Sequence, residues 1–198
     1  MLKMANSEYI KILSNITYDI NKLVNFYTSV KNNLEVFYDT HLYFDDPFFR
    51  CVCVDCSSLE PEHEPNSHLH LPNLDEYQNE EILKLQDSIK YLTLSNLSLW
   101  VFKPNYVLRP HKDFSRTATI TMPILPVTDK VGVDVYQSNL PIISNMPCHD
   151  DEYLIETYNY NLKHPTVLNS GSVIHGFRNN KYTRVMLYAS CNLPWDQI

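Results

Sequence analysis

After Leu94 the chain breaks into short β-branched and aromatic runs, LSLWVF, TATITMPIL, VGVDVYQ, YLIETYNY, TVLN, SVIHGF and RVMLYAS, parted by Pro, Asn, Asp and Gly. Seven such runs within roughly 100 residues predict an antiparallel sandwich or barrel. Two helical patterns come before them. After Thr17, a candidate cap, Ile20, Leu23, Val24, Tyr27, Val30 and Leu34 keep helical spacing. Between Asn79 and Tyr91, Ile82, Leu85 and Ile89 lie on one stripe that extends to Leu92, with Glu80 and Glu81 near the positive end of the helix. Helices first and strands afterwards predict a β core buttressed by two N-terminal helices, not a wound parallel sheet. Residues 57–78, rich in Pro, Ser, His, Glu and Asn, are expected to form a long surface loop, a candidate lid.

With 198 residues, 44% of them hydrophobic, the chain suffices for one buried core. A single domain, 1–198, is expected, with 1–94 as helical and loop support and 95–198 as the β core. The net charge of -7 disfavours a nucleic-acid partner, which needs a basic face. No apolar stretch approaches the roughly 20 residues of a membrane span, and MLKMANSEYIKIL lacks the apolar core of a secretory signal, so a soluble cytoplasmic protein is expected. Five cysteines, an odd number, do not suggest a disulfide framework. Cys51, Cys53 and Cys56, followed by His63, His68 and His70, invite a zinc reading, but their spacing matches no familiar zinc module. A strand FFRCVCV with small buried thiols is the simpler expectation.

Most of the chemistry is concentrated in His111, Asp113, His175 and Arg184. Side chains two apart on a strand point to the same side, so the H-x-D of His111 and Asp113 offers an imidazole and a carboxylate to one point. A second imidazole, His175, from a distant strand completes a three-ligand face. Two His and one carboxylate leave three octahedral positions open, which suits non-haem Fe(II) handling O2. A lone H-x-D is weak evidence in a chain with eight His, and a single His is more often a packing or surface residue. Placement strengthens the case: the motif sits between two strand patterns, the second His lies in a third, and a basic residue opens the last long strand.

These residues carry a family resemblance. RPHKDFSRTATITMPILP followed by LNSGSVIHGFRNNKYTRVMLYAS, within roughly residues 97–190, resembles the core of the Fe(II)- and 2-oxoglutarate-dependent oxygenases. The phrase of His, then Asn, then Arg-Val-x-Leu is similar to the aspartyl/asparaginyl β-hydroxylase branch. The resemblance implies a double-stranded β-helix, that is, a cupin-like jelly-roll. It also implies Fe(II) on His111, Asp113 and His175, 2-oxoglutarate with its distal carboxylate on Arg184, and O2 as oxidant. Many members carry Ser two residues after the Arg, where this chain has Met186. A second carboxylate contact is then expected from Thr117, Thr119, Thr121 or Tyr188.

Six basic residues, Arg109, Lys112, Arg116, Arg178, Lys181 and Arg184, flank the candidate ligands and would draw an anion toward them. Arg116 and Arg178 are candidates for binding an anionic group on the primary substrate. The expected activity is a dioxygenase hydroxylating an amino acid, a peptide side chain or a small anionic metabolite. The alternatives are a non-redox cupin-type binding protein and a metal-dependent hydrolase or isomerase using the same three ligands.

Overall fold

Strand sequences that alternate between two apolar environments are the basis of the architecture. On the strand Arg184–Cys191, the side chains Val185, Leu187, Ala189 and Cys191 enter one core, while Met186, between them, enters another. On Ala118–Leu125, Ala118, Ile120, Met122 and Ile124 join the first core, and Thr119 and Thr121 lie buried on the opposite face. This period of two makes each strand a partition between two layers.

The computed structural model describes residues 8–38, 67–71, 74–93, 96–113, 116–127, 131–137, 151–179 and 181–198. In chain order the strands are β1 (Ile10–Ile12), β2 (Glu35–Tyr38), β3 (Ser67–Leu71), β4 (Ser98–Phe102), β5 (Val107–His111), β6 (Ala118–Leu125), β7 (Gly132–Tyr136), β8 (Leu154–Asn159), β9 (Thr166–Leu168), β10 (Ile174–Arg178) and β11 (Arg184–Cys191). The helices are α1 (Ile20–Val30) and α2 (Glu80–Ile89). Seven strands form one sheet in the order β1-β9-β6-β11-β4-β3-β2, and four form a second in the order β5-β10-β7-β8. Every strand pairing in both sheets is antiparallel.

Two cores follow from this layering. In the first, Leu23, Phe26 and Val30 of α1 and Ile82, Leu85 and Ile89 of α2 pack with the odd-numbered face of β11 and the even-numbered face of β6. The second joins the sheets, with Phe102, Leu168 and Met186 from the larger meeting Val133, Val135 and Phe177 from the smaller. Asp19 caps α1 by accepting from the Asn21 and Lys22 amides, and Asn79 caps α2 by accepting from Glu81 and Ile82. Glu81, only 3% exposed, joins the two helix starts by accepting from the Asp19 amide at 2.9 Å while Lys22 and Lys84 approach its carboxylate.

Several expectations need adjustment. The first helix starts at Ile20 under an Asp19 cap, not at Thr17, and gives way to a 3-10 turn, Lys31–Asn33, before Leu34. The stretch 57–78 is not wholly loop: SHLHL forms β3, a member of the larger sheet, and Leu74–Tyr77 is a 3-10 turn. The segment leading into the H-x-D motif is itself strand, since β5 runs from Val107 to His111. Residues before 95 therefore supply β1, β2 and β3 to the larger sheet as well as the helices. Cys51, Cys53, Cys56 and His63 lie outside the described residues; Cys191 is a buried free thiol. Among the described residues no helix is long and apolar enough to cross a membrane.

Candidate metal centre and active site

His111 ends β5, and His175 stands directly opposite it on the neighbouring strand β10. Facing residues of an antiparallel pair project to the same side, which brings the rings to 4.4 Å between centroids. Asp113 follows just past the strand, where its amide donates to the Ser170 carbonyl at 2.9 Å and turns the chain back toward the imidazoles. One ligand-capable atom from each of His111, Asp113 and His175 lies within 4.8 Å of the others. His111 Nε2 is 3.6 Å from Asp113 Oδ1.

The protonation pattern suits a cation. His175 Nδ1 lies 3.2 Å from the Val173 carbonyl, which can only accept, so Nδ1 carries the proton and Nε2 keeps its lone pair. Burial, reinforced by the facing His111, pushes the His175 pKa down to about 4, leaving a neutral ligand at pH 7. Burial also pushes the Asp113 carboxyl upward, but the His111 hydrogen bond, the two imidazoles and the Arg116 guanidinium outweigh it and hold the group well below the usual carboxylate range. Asp113 Oδ2 is buried without a hydrogen-bond partner. Two inward imidazoles and a buried ionised carboxylate gathered at one point are costly alone and fit a divalent cation of the borderline class that includes Fe(II).

Arg184 opens β11 and is 5% exposed. Its Nη1 donates to the Gly132 carbonyl at 2.9 Å, its guanidinium carbon lies 3.9 Å from the Phe177 ring centre, and its Nε is buried without a partner. Stacking and one hydrogen bond fix the plane of the fork, while the charge lacks an ion pair among the described residues. Tyr160 is a buried phenol whose pKa burial raises, with the Arg184 charge and the Thr121 hydroxyl close enough to oppose that rise. Of the four hydroxyls considered from sequence, Thr121 is thus the one tied to the surroundings of Arg184. Tyr188 instead accepts from Arg116 Nη1.

The remaining basic residues divide. Arg116 points into the site, with Nε 3.4 Å from Asp113 Oδ2 and Nη1 3.1 Å from Ser190 Oγ. Arg178 ends β10 as an exposed residue, three positions beyond the inward His175 and so on the other face of the strand. Lys181 is exposed and lies over the Tyr182 ring. Lys112 is half-buried between the two ligands of the H-x-D. Sequence reasoning could not reach the carbonyls of Gly132, Val173 and Ser170 or the stacking role of Phe177, which are set by contacts across strands.

No protein-family model and no curated protein sequence matches the chain. Among solved structures it is similar to a prolyl-4-hydroxylase of Pseudomonas putida, at 10% identity and a TM-score of 0.45, covering 94% of this chain and 95% of that one. It is also similar to the viral collagen prolyl hydroxylase of Paramecium Bursaria Chlorella virus-1 in its 2-oxoglutarate complex, at 10% identity, a TM-score of 0.43, and 96% and 99% coverage. A third is HygX of Streptomyces hygroscopicus with nickel, 2-oxoglutarate and hygromycin B bound, at 11% identity, a TM-score of 0.45, and 92% and 83% coverage.

Proposed function

We propose that this protein is an Fe(II)- and 2-oxoglutarate-dependent dioxygenase, one domain over residues 1–198 on a double-stranded β-helix, hydroxylating an amino acid, a peptide side chain or a small anionic metabolite. The observation that carries the reading is the convergence of His111, Asp113 and His175 around one point, with Arg184 buried against Phe177, two positions beyond His175 on β10. The phrase of His, Asn and Arg-Val-x-Leu in β10 and β11 is the ground for relating it to the aspartyl/asparaginyl β-hydroxylase branch.

His111, Asp113 and His175 would hold the metal, and Arg184 would hold the distal carboxylate of 2-oxoglutarate through parallel charge-assisted hydrogen bonds. Fe(II) with 2-oxoglutarate and O2 supplies an oxygen atom for a substrate C–H, the co-substrate leaving as succinate and CO2. Around this chemistry the chain provides orientation and dryness. The Val173 carbonyl keeps the His175 proton on Nδ1, and the Ser170 carbonyl holds Asp113 at the end of β5. Phe177 and Gly132 set the plane of the Arg184 fork. Thr121 and Tyr160 add the hydroxyls that Met186 does not offer. Phe102, Tyr106 and Phe177 form an aromatic cluster, with 4.9 to 6.0 Å between ring centres, that excludes water from the inter-sheet space.

The direct test is incubation with Fe(II), 2-oxoglutarate and a pool of amino acids and short peptides, in air and under nitrogen. Succinate that forms only with O2, and not in His175→Ala protein, is the expected result. Turnover supported by Zn2+ in the absence of O2 would instead establish a hydrolase or isomerase.

A further inference from the structure

The two oxygens of Asp113 meet different neighbours. Oδ1 lies 3.6 Å from His111 Nε2, on the side of the imidazoles, whereas Oδ2 faces Arg116 in an ion pair, with Nε at 3.4 Å but no hydrogen bond between them. Arg116 is in turn anchored. Its Nη1 donates to the Tyr188 hydroxyl and to Ser190 Oγ, and its guanidinium carbon stands 5.3 Å from the Tyr188 ring centre. Tyr188 and Ser190 share one face of β11, a strand paired on both sides, with β4 and β6. The backbone beneath Arg116 is also braced: the Gly171 amide donates to the Thr117 carbonyl at 3.0 Å, and Gly171 packs against the Arg116 carbonyl.

We propose that Arg116 is a positioning residue that keeps Asp113 a one-oxygen ligand, retaining Oδ2 so that only Oδ1 turns to the metal. This role rests on the metal centre proposed above and departs from the expectation that Arg116 binds the primary substrate. The guanidinium suits it because Nε and Nη1 diverge, reaching the carboxylate and the β11 hydroxyls together, which a lysine ammonium cannot do. The consequence is stoichiometric. A carboxylate bound through both oxygens, with two imidazoles, fills four octahedral positions and leaves two. A co-substrate bound through its keto oxygen and adjacent carboxylate takes two, so O2 has a site only while Asp113 gives a single oxygen.

The test uses the full chain loaded with Co2+, whose ligand-field absorption reports coordination without turnover, together with crystals of the same complexes. In wild-type protein Co2+ is expected on Oδ1 alone, with Oδ2 still against Arg116. In Arg116→Gln both Asp113 oxygens are expected on Co2+, with a shifted absorption spectrum. Should Arg116→Gln fail to fold, Tyr188→Phe decides: it removes one anchor of Arg116 at little cost in shape, and its spectrum is expected to shift in the same direction. Wild-type protein that binds Co2+ through both oxygens, or folded Arg116→Gln with a wild-type spectrum and one Asp113 oxygen bound, overturns this role and leaves the metal centre standing. Wild-type protein that takes up no Co2+ overturns the centre and the role together.

Discussion

At the scale of single residues, His175 shows what the site costs the fold. Its pKa falls to about 4 from an ordinary 6.5, chiefly through burial. Between those values the unfolded chain binds a proton that the folded chain refuses, so stability falls as pH drops through this window and the loss is complete below about 4. Denaturant unfolding of metal-free protein should show His175 removing on the order of 2 kcal/mol between pH 7 and pH 5, a dependence that His175→Gln lacks. Asp113→Ala should weaken Co2+ binding by at least about 100-fold, since even outer partners of metal ligands are worth about 10- to 100-fold. Arg184→Lys keeps the charge but loses the fork, and a calorimetric titration of the Co2+ form should show 2-oxoglutarate affinity reduced by about tenfold or more. The grouping of His111, Asp113 and His175 was legible in the sequence because such residues are rare and their spacing survives in one dimension. The Gly132 carbonyl and Tyr160 were not, because the hydrogen bond of the one to Arg184 and the nearness of the other arise only when distant strands come together.

At the scale of elements, legibility followed length and pattern. TATITMPIL and RVMLYAS became β6 and β11 nearly residue for residue, since eight alternating positions separate two cores unmistakably. The strands β1 and β3 escaped notice because three to five residues carry too little periodicity, and β3 lies in a stretch whose composition resembles a loop. The turn after β9 has a sharper role than its sequence LNSGS suggests. A Cβ on Gly171 would sit 2.5 Å from the Arg116 carbonyl oxygen, backbone against backbone. Gly171→Ala should therefore destabilise the protein by about 1 to 3 kcal/mol in thermal unfolding and weaken Co2+ binding, because the same turn supplies the Ser170 carbonyl to Asp113. Asn79→Ala, which removes the α2 cap far from that turn, should cost about 1 kcal/mol and leave Co2+ affinity unchanged.

For the whole molecule, two cores separate support from chemistry. The helices and one face of the larger sheet form the first, and the facing sheets, with the candidate site between them, form the second. Leu85→Ala, a truncation at a fully buried α2 position, should lower stability by about 2 to 5 kcal/mol while leaving metal affinity intact, as parallel melting and titration would show. The order of helices and strands predicted a β core with helical support, but not that early strands would enter the larger sheet, since strand pairing depends on partners far along the chain. The most direct measurement is an anaerobic crystal structure with Fe(II) and 2-oxoglutarate. One iron on His111, Asp113 and His175, with the distal carboxylate of 2-oxoglutarate on Arg184, is the predicted result. Iron bound elsewhere, or a co-substrate that avoids Arg184, would contradict the account.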